Sequence, residues 1–288
     1  MGHRTTRAGR LLAVLALCAA LAPLDAGRAQ EQGGVELVEA GSGPREPLRH
    51  RFEAGQRQSL RLRLRSDMRI QVGDRTQEVE VPEMIMRLEL GPSRVTDEGH
   101  MRYGFRLADL GVEGGDAQAR EQISQALAGL VGTSGATEID ERGRTVDFEY
   151  ELPDSLSPQV RQQAQSLRSA LVGLLPRFPR EPVGVGAVWR IRDTMRLPQA
   201  SVQIETLYRL RRRRGDRVEL QVRIESSDAA ELPEGVQMDV NGHGRHRFVL
   251  GSLQTRARVE TTAEVQMTGP RGSMRMRMHS ENHVDPVD

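Results

Sequence analysis

From Leu48 onward the apolar positions of the chain recur at every second residue. Leu60, Leu62, Leu64, Met68, Ile70 and Val72 alternate with Arg61, Arg63, Arg65 and Arg69. Successive side chains of a strand point to opposite faces, so this spacing predicts a strand with one buried and one wet face, the pattern of antiparallel sheets. Gly73-Asp74 reads as a turn, and Val79 and Val81 open the next strand. Pro82 then shifts the apolar phase to Met84, Met86, Leu88 and Leu90, as a β-bulge does. After Asp97-Glu98-Gly99, the residues Met101, Tyr103, Phe105 and Leu107 form another inward face. A hairpin follows with Glu141-Arg142-Gly143 at its tip and Val146, Phe148, Tyr150 and Leu152 behind it. The second half reads the same way. Its alternating runs are Ala187 to Leu197, Val202 to Leu210, Val218 to Ile224, Val236 to Leu250, Leu253 to Met267, and Met274 to Met278.

Two segments change period. After Asp116, a good N-cap, Ile123, Ala126, Leu127, Leu130 and Val131 recur at helical spacing until the glycines 132 and 135. A second helix is predicted from Ser157 as N-cap and Pro158 at the first helical position. Its apolar stripe is Val160, Ala164, Leu167, Leu171 and Leu174, and Pro176 ends it. The fold class expected is therefore β-dominated α+β, with long antiparallel curved sheets packed with two helices over 48–284. A faint internal echo sets Ser66-Asp67-Met68-Arg69-Ile70 beside Asp193-Thr194-Met195-Arg196-Leu197. It suggests two duplicated halves, 48–152 and 180–284, facing each other in an open-barrel-like arrangement.

The ends carry different signals. Arg4, Arg7 and Arg10 precede an apolar run from Leu11 to Ala22, Pro23 breaks it, and Gly27 and Ala29 are small residues suited to a cleavage site. Residues 1–29 are read as a secretory signal peptide, since the run is shorter than the ~20 residues of a membrane span. Cys18 follows Leu17, too large for a lipidation motif, so the cysteine is assigned to the signal's apolar region rather than to a lipid anchor. It is the chain's one cysteine, so the exported part is expected to stand without disulfides. The stretch 30–47, rich in Gly and Glu, is expected to be a flexible lead-in, and the polar tail from Asn282 is expected to fray. No membrane span is expected after cleavage.

Composition then narrows the partners. The chain has 41 basic and 40 acidic residues, and removing Arg4, Arg7, Arg10, Arg28 and Asp25 with the signal leaves a net charge of −2. A nearly neutral chain with 3% aromatics has no global field for nucleic acid and few rings on which bases stack. All the basic residues are arginine, which fits a GC-rich coding sequence.

Pro182-Val183-Gly184-Val185-Gly186-Ala187-Val188-Trp189 resembles a strand-opening motif of exported bacterial β-rich proteins of uncharacterised role, and Gly242-His243-Gly244 to Gly251-Ser252 is also similar to them. The likeness implies an exported β-rich fold and no assigned activity. In architecture alone, long curved strands with two helices resemble periplasmic lipoprotein carriers, whose unclosed barrel holds a lipid chain.

Candidate chemistry is sparse. His243 and His246 are three apart, so on a strand they face opposite ways; His279 and His283 are four apart, about 13 Å at strand rise. Neither pair can hold one metal alone. Met274, Met276 and Met278 offer soft sulfur, but they also fill the apolar face of a strand whose Arg275 and Arg277 face water. Asp140, Glu141 and Arg142 read as a solvated hairpin tip, Arg211 to Arg214 as a solvated loop end, and Trp189 as a core anchor. Gly-x-Ser-x-Gly elbows and phosphate loops are absent. No catalytic, cofactor-binding or metal residue is assigned, and no cofactor is expected. The function expected is that of a non-catalytic envelope protein, exported to the periplasm or the exterior. It binds a hydrophobic ligand or another envelope component; the alternatives are a structural or assembly factor without a small ligand, and a hydrolase.

Overall fold

The structure is a computed structural model that describes residues 33–51, 53–152, 174–197, 200–227, 232–269 and 272–287. In chain order, β1 (Val35–Glu39), β2 (Ser42–Glu46), β3 (Gln58–Val72), β4 (Arg75–Val95) and β5 (Met101–Glu113) precede α1 (Ala117–Ala128). Then follow β6 (Ser134–Ile139), β7 (Thr145–Glu151), β8 (Val183–Val185), β9 (Val188–Leu197) and β10 (Ala200–Arg214). The last strands are β11 (Arg217–Ser226), β12 (Val236–Val249), β13 (Thr255–Gly269) and β14 (Gly272–Val287). Strand dominates and every ladder is antiparallel, as the period-two pattern required.

The two halves do not form two facing sheets. One 12-stranded sheet runs β1-β9-β10-β11-β12-β13-β14-β3-β4-β5-β6-β7, and β2 pairs with β8 beside it. The meanders β3–β7 and β9–β13 lie in series within it, and β14 joins them. The order is open, with β1 and β7 at its edges, so among the described residues the sheet is no closed barrel.

The joint is long. β14 pairs with β3 from Met274 opposite Val72 to Val287 opposite Ser59, without a register shift. The tail from Asn282, expected to fray, is thus a central strand. Its polarity misled, because Val284 faces Leu62 and packs into a core cluster while His283 and Asp285 face outward. At mid-strand the buried hydroxyls of Ser66 and Ser280 stand 2.9 Å apart in a hydrogen bond across the joint.

Within the lead-in, β1 and β2 are likewise ordered strands. Val35 and Leu37 pair with Ile191 and Trp189 and pack on the core beside them. Two alternating apolar residues are too few to register as a strand in the sequence, but an existing edge supplies their hydrogen-bond partners. The next segment crosses β8 so closely that a Cβ on Gly184 would lie 2.2 Å from the Ser42 carbonyl oxygen. The Pro82 bulge is present: Leu64 faces Met84 but Ser66 faces Val81.

Asp116 caps α1 by accepting from the Gln118 and Ala119 amides at 3.1 and 3.0 Å. Ile123, Leu127 and Leu130 pack on Leu107, with Met84 and Met86 alongside. Val131, expected in the same stripe, is exposed because the helix has already ended at Gly129. α1 is the one helix among the described residues; the second, expected from Ser157, lies outside them.

The hydroxyl pair offers a test of the joint. Ser66→Ala or Ser280→Ala alone leaves a buried hydroxyl with its partner removed, and each is expected to cost about 1–3 kcal/mol in urea unfolding. The double variant is expected to cost less than the sum of the two. A coupling of zero in that cycle would mean that the backbone ladder alone holds the joint.

Candidate functional site

At one end of the sheet several turns converge on the residues that precede β3. The His50 amide donates to the Glu141 carbonyl at 2.7 Å and the Arg51 amide to the Leu250 carbonyl at 2.7 Å. The Phe178 amide donates to the Arg142 carbonyl at 2.9 Å. Gln56 grips the β12–β13 turn from both sides: its side-chain amide donates to the Gly251 carbonyl, and its side-chain oxygen accepts from the Leu253 amide at 3.2 Å. Arg49 forms an ion pair with Glu141 at 2.9 Å and donates to the carbonyls of Pro179 and Arg180.

Asp140 is not solvated as its hairpin position suggested. It is buried and accepts from the Arg142 and Arg144 amides, both at 2.9 Å, so it shapes the tip from inside. Asp140 and Gly143 are buried while Glu141 and Arg144 stay exposed; the loop before β8 lies over Gly143, bringing the Pro176 carbonyl within 2.4 Å of where a Cβ on it would be.

Beneath these turns lies a sealed aromatic cluster. Trp189 is fully buried and stacks on Tyr208, with centroids 5.7 Å apart, and its indole N–H donates to the Arg177 carbonyl at 2.9 Å. Phe178 stacks on Phe248 at 5.7 Å and meets Trp189 edge-on. His50 stacks on Phe178 at 4.8 Å, and His246 meets Phe248 edge-on at 5.4 Å. The His50 Nε2 lies 3.4 Å from the Pro176 carbonyl oxygen, and the His246 Nε2 bonds the Thr255 hydroxyl.

Burial dominates the electrostatics of both rings. Loss of water lowers His50 from 6.5 to about 4, against the opposing pull of the Pro176 carbonyl and the Asp140 charge. It lowers His246 from 6.5 to about 4 as well, and proximity to His50 lowers it further. Both imidazoles are neutral at pH 7. A hydroxyl beside a neutral imidazole is half of a nucleophile–base arrangement, but Thr255 and His246 are both sealed from solvent. The recess that reaches this end is lined by His50, Arg51, Gln56, Met101, Leu250, Gly251 and Ser252. It has no room for a water-sized molecule, far short of a ligand pocket.

The other candidates are dispersed. His243 points outward and is exposed, while His246 points into the core. The residues of β12 explain this: His246 is in phase with the buried Val240 and Phe248, a signal that was available in the sequence. His279 and His283 lie on the outer face with Asp67 and Arg63 opposite them. Among the described residues no group of three or more His, Cys, Asp or Glu side chains converges as a metal site requires. Met274, Met276 and Met278 lie on the inner face opposite Val72, Ile70 and Met68. In the Arg211–Arg214 run, Arg213 is largely buried against Glu46 at 3.0 Å, and the others are exposed. No protein-family model matches the chain, and no curated protein is significantly similar to it. Among the described residues no helix is long and apolar enough to cross a membrane.

The histidines set a pH dependence. Their folded-state values are depressed, so the unfolded chain binds protons at higher pH than the folded one. Their contribution to stability is complete above pH 6.5 and is lost as pH falls from 6.5 towards about 4. At about 1.4 kcal/mol per pKa unit the loss amounts to several kcal/mol. The urea midpoint is expected to fall across this window, and to fall less in His50→Leu/His246→Leu; identical pH profiles for the two proteins would show that the rings do not titrate with folding.

Proposed function

We propose that this is a non-catalytic exported protein of the bacterial envelope that holds an apolar chain against the methionine-rich end of the sheet's inner face. The observation that carries the reading is the continuation of the apolar face beyond the packed core. Val240, Ala263, Met278 and Met68 form one buried row across β12, β13, β14 and β3. The next row on the same face is Met238, Val265, Met276 and Ile70, and the one beyond it is Val236, Met267, Met274 and Val72. These two rows are partly accessible, and Val72 is exposed.

Methionine suits such a place. Its unbranched thioether adapts to ligands of varied shape. In this reading the sheet curves around the bound apolar chain, and residues 1–29 direct export. The turns that converge on His50 close the other end, and the outward arginines keep the sheet in solution.

A second reading has its own support. The small recess and the sealed cluster around Trp189 also suit a structural or assembly factor with no small ligand.

The two readings part on one measurement. The protein purified from its own envelope is expected to carry a lipid in native mass spectra, and, once stripped, to bind the neutral probe N-phenyl-1-naphthylamine saturably. Met267→Gln/Met276→Gln is expected to weaken the probe by at least about tenfold, as loss of apolar contact at two sites implies. Ligand-free spectra together with unsaturable probe binding would favour the structural role.

A further inference from the structure

The outer face of the sheet treats its charges unevenly. Towards the β13–β14 turn they are matched across strands: Arg277 pairs with Glu264 at 3.3 Å and Arg69 with Glu78 at 2.5 Å. Nearer the His50 end, Arg256 pairs with Asp285 at 2.8 Å and Arg247 with Glu219 at 3.4 Å. Between these regions runs a row without a carboxylate. Across adjacent strands it reads Arg209, Gln221, Arg245, Arg258, His283, Arg63 and Ile85.

Arg245 stands directly opposite Arg258, and in the neighbouring row Arg61 stands opposite Arg87. Like charges in direct cross-strand register destabilise a sheet. All of these are exposed, as is Arg65, and among the described residues none of Arg61, Arg63, Arg65, Arg87, Arg245 and Arg258 lies within ion-pair distance of a carboxylate. Carboxylates stand in register opposite three of them, Asp285 by Arg61, Glu281 by Arg65 and Asp109 by Arg87, but Asp285 lies within ion-pair distance of Arg256 and Glu281 of His279 instead.

We infer that this face docks on an anionic lipid bilayer through the phosphates of its headgroups. Guanidinium groups bind phosphate oxygens in a bidentate fork. The six unpaired arginines sit on four strands, β12, β13, β3 and β4, which with β14 between them span a patch of about 20 Å by about 14 Å over three rows at sheet spacings. A two-dimensional array of this kind fits a plane of headgroups. A single-stranded polynucleotide follows a line and needs rings on which its bases stack, but Trp189, Tyr208 and Phe248 all belong to the opposite face. The near-neutral balance of the whole chain makes the attraction local, so contact with a bilayer orients the molecule with its apolar inner face away from the headgroups. The inference does not depend on whether that inner face holds a ligand.

The test is co-sedimentation of the purified protein with vesicles of phosphatidylglycerol mixed with phosphatidylcholine, and with vesicles of phosphatidylcholine alone. Binding is expected to the mixed vesicles only, and to weaken with added salt. Arg63→Gln/Arg245→Gln/Arg258→Gln is expected to lose about fivefold in partitioning per arginine removed. Its melting temperature is expected to hold or rise, because a repulsive row has been neutralised. Arg69→Gln/Arg277→Gln, on the same face but from matched pairs, is expected to lose far less. Equal binding to neutral vesicles, equal losses in the two variants, or a triple variant that melts lower would overturn the inference. So would preferential binding of a single-stranded oligonucleotide, or full displacement from vesicles by inorganic phosphate at an ionic strength where chloride displaces nothing, which would mark an isolated anion site.

Discussion

The unbroken ladder between β14 and β3 is the interaction on which the architecture depends. It joins the last strand of the chain to the first long one, so that two meanders become one sheet. Without it each meander would end in a long edge of unpaired backbone groups, an invitation to association with other chains. The cost is topological. The contact closes a loop of more than two hundred residues, and contacts so distant in sequence form slowly. The remaining edges are short: β1 has five residues and β7 seven.

The two ends of this sheet are finished differently. Near His50, turns from both meanders are tied by backbone hydrogen bonds over a cluster of aromatic rings, and water is excluded well enough to hold two imidazoles neutral. Near the β13–β14 turn the same inner face is lined by methionine and valine and stays partly accessible. Hydrogen bonds and buried rings are concentrated where chain segments cross. Adaptability is concentrated where the strands run on beyond their packing partners, and the proposed ligand chain lies there.

The faces differ as much as the ends. Alternation sends most apolar residues of the long strands inward and most arginines outward, so one sheet presents grease on one side and guanidinium on the other. On several outward rows a carboxylate of the neighbouring strand answers an arginine, as in Arg277–Glu264, Arg69–Glu78 and Arg247–Glu219, at little net energy because the pairs are wet. Where the answer is missing, the surface carries charge that the sheet itself does not need.

The β-dominated antiparallel fold, the positions of its hairpins, the Pro82 bulge and the Asp116 cap were legible in the sequence alone, since each follows from local sterics and from which face of a strand meets water. The burial of Trp189 was legible for the same reason. The sequence did not disclose that Val35–Glu39, Ser42–Glu46 and the tail from Asn282 are strands, because their order comes from edges supplied by distant segments. Nor did it disclose that Asp140 is buried, because a turn gives no sign of what is laid over it; His246 did carry a sign, its phase with Val240 and Phe248. Strand order and register across β14 and β3, the sealing of the histidine cluster and the row of arginines facing arginines were decided only by the tertiary structure. Side-chain alternation fixes which face a residue occupies; only the pairing of distant strands fixes which residues become its neighbours.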